Sequence, residues 1–243
     1  PKLGDAVVSL PVVTNALTHG VSMAGYMFVD PGDEVISPDL FWGNYNLILN
    51  SAYGSKIGTF NLFKNGGFDL EALKAKLSEG PVGKKILILN FPNNPSGYSP
   101  TVAENQAIVA ILKEAAEKGN KLVVLTDDAY WGLVYEEGIE RQSIFSFLVH
   151  AHENILAVKI DGPTKEDYVW GFRVGFITYG IKGGNERLYG ALESKTAGAV
   201  RGNISNAANI SQSLLLKAFE NPAYEQQKTE KFALMKTRFD AVK

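Results

Sequence analysis

Two kinds of segment alternate along the chain. Short apolar runs occupy positions 34–37 (after the turn Asp30-Pro31-Gly32-Asp33), 55–60, 84–89, 121–125 and 154–160, and an alternating apolar pattern covers 173–179. Runs with little or no polar face belong to strands covered on both sides, as in a parallel sheet. Between them, helical spacing predicts helices over 15–28, 69–78 and 101–118, and from Asn185 onward the pattern is largely helical. Strands alternating with helices predict an α/β fold with crossover connections. No internal repeat, low-complexity stretch or linker interrupts the pattern.

Composition narrows the function classes. The 243 residues are 45% hydrophobic and 21% charged, with a formal net charge of -2, ordinary values for a globular domain. That charge leaves no electrostatic footprint for nucleic acid or an anionic membrane surface. No apolar run reaches the roughly 18 residues that cross a bilayer, and no signal peptide is visible. The chain has no cysteine, which excludes disulfides, a cysteine nucleophile and thiolate metal sites and is compatible with a cytoplasmic location. His19, His150 and His152 lack the clustered carboxylates of a metal site, so no metal is expected. Neither a dinucleotide-binding glycine loop nor a P-loop is present. The chain opens on Pro1-Lys2-Leu3-Gly4 and closes on Asp240-Ala241-Val242-Lys243 within a helical pattern, and we expect one domain of a longer polypeptide.

In open α/β sheets ligands bind beyond the carboxyl ends of the strands. After Leu89 comes Asn90-Phe91-Pro92-Asn93-Asn94-Pro95-Ser96-Gly97. Thr126-Asp127-Asp128-Ala129-Tyr130 follows Leu125, and Asp161-Gly162-Pro163-Thr164-Lys165 follows Ile160. One sheet edge thus receives an amide, a carboxylate with a phenol, and an amine, and Arg173 follows in Gly171-Phe172-Arg173-Val174-Gly175. An anionic cofactor that forms an imine needs these groups. Plainer readings exist for each residue. Most lysines lie on the surface, Asp127 or Asp128 can cap a turn, Asn-Pro is a common turn initiator, and Trp42 can be core packing.

Taken in order, these segments resemble the pyridoxal-phosphate-dependent aminotransferases of class I/II, fold type I. Asn93-Asn94-Pro95-Ser96-Gly97 is similar to the family's Asn-Pro-Thr-Gly, and Asp127-Asp128-Ala129-Tyr130 to its Asp-x-x-Tyr. Thr164-Lys165 with Gly171-Phe172-Arg173-Val174-Gly175 is similar to its Ser-Lys and Gly-x-Arg-x-Gly. Phe41-Trp42-Gly43-Asn44-Tyr45 resembles the aromatic loop of the aspartate aminotransferase branch. Each motif alone is weak; their shared order and spacing are specific.

The resemblance implies a three-layer α/β/α sandwich around a mostly parallel seven-stranded sheet. Residues 1–243 would form the cofactor-binding large domain, with an N-terminal segment and a C-terminal small domain outside this chain. It implies pyridoxal 5'-phosphate as cofactor and amino-group transfer between an amino acid and a 2-oxo acid, in a homodimer. Lys165 would form the imine and act as the base, Asp127 would pair with the pyridine nitrogen, and Tyr130 and Asn94 would hydrogen-bond the ring oxygen. Trp42 would stack on the ring, and Arg173, Thr164 and the backbone near Ala16 and Leu17 would hold the phosphate. Two positions depart from the family pattern. Gly162 stands where many members have a serine, three residues before the lysine, and Ala16 stands where the phosphate loop usually has glycine. Other reactions on the same cofactor (carbon–sulfur lyase, decarboxylase, synthase) and a cofactor-sensing domain of a transcription regulator remain alternatives. Arg201 and Lys195 form no motif, and Asn203 and Asn206 lie in a polar stretch open to two readings, an approach to the active site or to the dimer interface. Phe232, Leu234, Met235, Phe239 and Val242 give the last helix an apolar set expected to need a partner surface.

Overall fold

A computed structural model describes residues 3–243. Its main sheet has seven strands: β1 (Val12–Thr14), β2 (Glu34–Pro38), β3 (Lys56–Phe60), β6 (Lys84–Asn90), β7 (Lys121–Asp127), β8 (Ile155–Asp161) and β9 (Gly175–Gly180). Their order is β1-β9-β8-β7-β6-β2-β3. The neighbours from β3 to β8 pair in parallel, while β9 runs antiparallel to both β8 and β1. A two-stranded hairpin, β4 (Phe63–Lys64) with β5 (Gly67–Phe68), lies outside the sheet.

The helices are α1 (Ala16–Phe28), α2 (Leu70–Ser78), α3 (Val102–Glu117), α4 (Phe145–Ala151), α5 (Pro163–Glu166), α6 (Glu186–Ile204), α7 (Asn209–Phe219) and α8 (Tyr224–Val242). A π-helical stretch, Asn46–Ser51, follows the aromatic loop. Strand residues alternate between two cores, because successive side chains point to opposite faces. Leu87, Leu89, Leu122, Val124 and Ala157 pack with Leu73, Leu112 and Leu148 of α2, α3 and α4. Ile86, Ile88, Leu125, Val158 and Ile160 pack with Val21 and Ala24 of α1 and with Tyr189 of α6. The expected three-layer α/β/α sandwich with a mostly parallel seven-stranded sheet is thus observed.

Local chemistry starts the helices. Asp69 accepts a hydrogen bond from the Ala72 N–H to cap α2, and Thr101 with Glu104 forms a capping box on α3. Three expectations are corrected. Strands β6, β7 and β8 run on to Asn90, Asp127 and Asp161, so these polar groups are the last strand residues rather than the first loop residues. Arg173 lies outside β9, in a left-handed turn (φ 55°) after the 3-10 turn Trp170–Phe172. The apolar set of α8 is partly covered within the chain, since Tyr135 packs against Phe232 and Phe239 with centroids 5.1 and 5.3 Å apart. Leu234 and Val242 stay exposed.

Candidate active site

The ends of β6 and β7 are tied by one side chain. Asn90 donates from Nδ2 to the Asp127 carbonyl (2.8 Å), and its Oδ1 accepts from the Asn94 N–H (2.7 Å). Asn90 therefore fixes the loop that carries Asn94 against the strand that carries Asp127. Asp127 is 3% exposed. Its carboxylate accepts from the Tyr45 hydroxyl at 2.6 Å and from the Ala129 N–H at 3.1 Å. Burial pushes this carboxyl above the ordinary range, and the two hydrogen bonds pull it back only in part. Tyr45 in turn meets Trp42 edge-on, with centroids 5.7 Å apart.

Asp128 is equally buried but serves another cluster. Lys159 reaches it at 3.3 Å and also pairs with Asp161. Burial raises the Asp128 carboxyl to about 7 against the pull of Lys159. Of the two adjacent aspartates, the cavity that holds Lys165 is lined by Asp127.

Lys165 sits on α5, which opens with Pro163 and directly follows β8. Its Nζ lies 5.4 Å from the centroid of the Tyr130 ring. Thr164 beside it is 7% exposed, and its Oγ1 is buried with no hydrogen-bond partner among the described residues. Gly162 leaves no room for a side chain, since a Cβ there would stand 2.6 Å from the Val174 carbonyl oxygen and 2.9 Å from Gly175 Cα. The serine common at this position elsewhere is excluded by the local backbone.

Across the cavity, α1 begins at Ala16, whose φ of 62° is left-handed, the region glycine enters without penalty. No side chain caps this helix, and an uncapped helix start of this kind can bind an anion. The Arg173 guanidinium stacks over Trp170 at 5.9 Å.

All nine candidates (Ala16, Leu17, Trp42, Asn94, Asp127, Tyr130, Thr164, Lys165 and Arg173) line one open cleft. Asn90 and Trp170 line it too and carry no motif in the sequence. Tyr45, part of the aromatic loop, enters through its bond to Asp127. Arg201 and Asn206 line a different cavity, beside Val12 and Val13. Among the described residues no cluster of potential metal ligands occurs, and no helix is long and apolar enough to cross a membrane.

Known proteins are similar to this chain. A probable N-acetyl-LL-diaminopimelate aminotransferase of Bacillus subtilis is 27% identical over 86% of this chain and 47% of its own length. An aspartate aminotransferase of Rhizobium meliloti is 28% identical over 84% of this chain and 46% of its own. The chain thus spans about half the length of these relatives. A crystal structure of an aminotransferase from Anaerococcus prevotii superposes with a TM-score of 0.87 at 25% identity, covering 97% of this chain and 58% of that one. An aromatic-amino-acid aminotransferase from Burkholderia pseudomallei, solved covalently bound to pyridoxal phosphate, shares the fold with a TM-score of 0.78 at 18% identity, over 99% of this chain and 58% of that one. The sequence profile of aminotransferase class I and II matches residues 5–241, and the chain belongs to that family.

Proposed function

We propose that the protein is a pyridoxal-phosphate-dependent aminotransferase that moves an amino group between an amino acid and a 2-oxo acid, with Lys165 as the cofactor-anchoring lysine. The observation that carries this reading is one cleft lined by an amine (Lys165), a buried carboxylate (Asp127) and a guanidinium (Arg173) beside the uncapped start of α1. These groups complement an aldehyde, a pyridinium nitrogen and a phosphate. Two features of the protein fit that cofactor. A buried carboxylate whose proton affinity is raised is stabilised by a cation at its side. The unpartnered Thr164 hydroxyl offers a donor inside the same cleft.

The cofactor, when bound, supplies an electron sink for the pair left behind when a substrate Cα loses its proton. The residues supply the rest. Arg173, Thr164 and the N–H groups of Ala16 and Leu17 would hold the phosphate. Trp42 would stack on the ring, and Tyr130 and Asn94 would bind its oxygen. Asp127, oriented by Tyr45, would keep the ring nitrogen protonated. The Lys165 amine, once free, would take the proton from the substrate Cα. A homodimer completes this reading and rests on the family resemblance; a cytoplasmic location is compatible with the cysteine-free sequence.

The experiment is a half-reaction. Protein loaded with pyridoxal phosphate is mixed with single amino acids while the visible cofactor band is followed. The band should fall with a productive donor, a 2-oxo acid should accumulate, and a second 2-oxo acid should restore the band. Release of carbon dioxide, or loss of a side-chain thiol, in place of that reversible exchange would contradict the reading.

A further inference from the structure

We propose that Lys228 of α8 is a positioning residue for Lys165, holding the α5 segment that carries it through Glu166 and Asp167. The inference rests on the reading of Lys165 given above. Lys228 Nζ lies 2.7 Å from Glu166 Oε1 and 3.2 Å from Asp167 Oδ1. The Tyr224 hydroxyl donates to the same Asp167 oxygen, and Lys228 donates to Tyr224 at 3.2 Å. These groups converge in a partly buried cluster, with the Asp167 side chain only 10% exposed. An isolated exposed pair holds little in place; a cation shared by two carboxylates and a phenol orders all of them.

The segment it holds needs holding. Helix α5 has four residues, too few to be stable alone, and Lys165 is its third. The same α8 presses on the stretch after Tyr130 through the Tyr135 contacts with Phe232 and Phe239. A Cβ added at Gly132, in that stretch, would stand 3.5 Å from Glu166 Cγ. One helix thus braces both pieces of chain that set the Lys165–Tyr130 contact.

The Lys228 cation is well held in this cluster. Burial opposes the Lys228 cation, yet Glu166, Tyr224 and Asp167 outweigh it and hold its pKa above the ordinary value. Burial raises the Glu166 carboxyl, with Lys228 acting against that rise and Asp167 and Asp161 adding to it. Lys231 borders the same groove, and Asp127 and Arg173 share the cleft with Lys165.

The test compares Lys228→Met, Lys228→Arg, Glu166→Gln and the double variant Lys228→Met/Glu166→Gln. The rate of Lys165 acylation by acetic anhydride is followed at one fixed pH in cofactor-free protein, with the exposed Lys195 as internal standard. Lys228→Met should raise the Lys165-to-Lys195 labelling ratio roughly threefold, because α5 opens locally once its clamp is gone. Lys228→Arg should restore the ratio, Glu166→Gln should raise it in the same direction, and the double variant should add little to the larger single effect, since both changes break one contact. An unchanged ratio in Lys228→Met, or an arginine variant no better than the methionine one, overturns the proposal. Should Lys228→Met fail to fold, Glu166→Gln decides, and an unchanged ratio there overturns the proposal as well. Failure of pyridoxal phosphate to bind sinks the functional reading separately, because acylation is measured without it.

Discussion

Asp127 and Asp128 are chemical twins at the end of one strand, and their neighbours divide the labour between them. Asp127 faces the cleft with a neutral donor, Tyr45, at its side. Asp128 faces Lys159 and Asp161 beneath it. Asp127→Asn keeps the shape and removes the charge, and should cost roughly a hundredfold or more in turnover, the scale of one lost transition-state charge pair. Asp128→Asn should instead leave turnover near wild type and lower the midpoint of denaturant unfolding. Turnover and unfolding measured on both variants check the division; the reverse pattern would assign the chemistry to Asp128. Ala16 carries a second prediction. A left-handed non-glycine residue is strained by about 1–2 kcal/mol, and glycine would relieve that strain while adding some freedom to the unfolded chain. Ala16→Gly should therefore stabilise the protein by roughly 0.5–1 kcal/mol in denaturant titration.

At the scale of elements, helix α3 stores a pH dependence at its first turn. Glu104 accepts from the Phe68 N–H and from the Thr101 N–H and hydroxyl. Burial alone would raise its carboxyl, but these bonds win and hold it below 4.5. A carboxyl depressed by folding contributes stability that is present above its unfolded value and lost as pH falls through the folded one. Wild-type stability should therefore decline as pH drops below about 4.5. Glu104→Gln should be less stable at neutral pH and show a shallower acid limb, read by thermal unfolding across pH 2–7. A variant with the same acid limb as wild type would remove Glu104 as its source. The central strands and helices α1, α2 and α3 are legible in the sequence because apolar runs mark them, with cap residues at the starts of α2 and α3. Strand β1 has three residues, too short for a periodic pattern, and exists because β9 pairs with it. The Arg173 turn reads as strand because its flanking residues alternate, while its left-handed backbone leaves no signature in residue type.

The whole molecule explains which site residues the sequence reveals. Asn94, Asp127, Tyr130, Lys165 and Arg173 stand in motifs close to strand ends, and a parallel sheet gathers such ends at one edge. Tyr45 and Asp127 lie 82 positions apart, and no local pattern marks their hydrogen bond. Asn90 reads as the first polar residue of a loop until the sheet register sets it opposite Asp127. Gly162 reads as a departure from a family pattern until the backbone of Val174 and Gly175 shows that no side chain fits. The central claim is that this edge presents Lys165, and no other lysine, to the cofactor. Borohydride reduction of the protein loaded with pyridoxal phosphate, followed by peptide mapping, tests it most directly. The pyridoxyl label should sit on Lys165; a label on the buried Lys159 or the exposed Lys195, with Lys165 unmodified, would contradict the account.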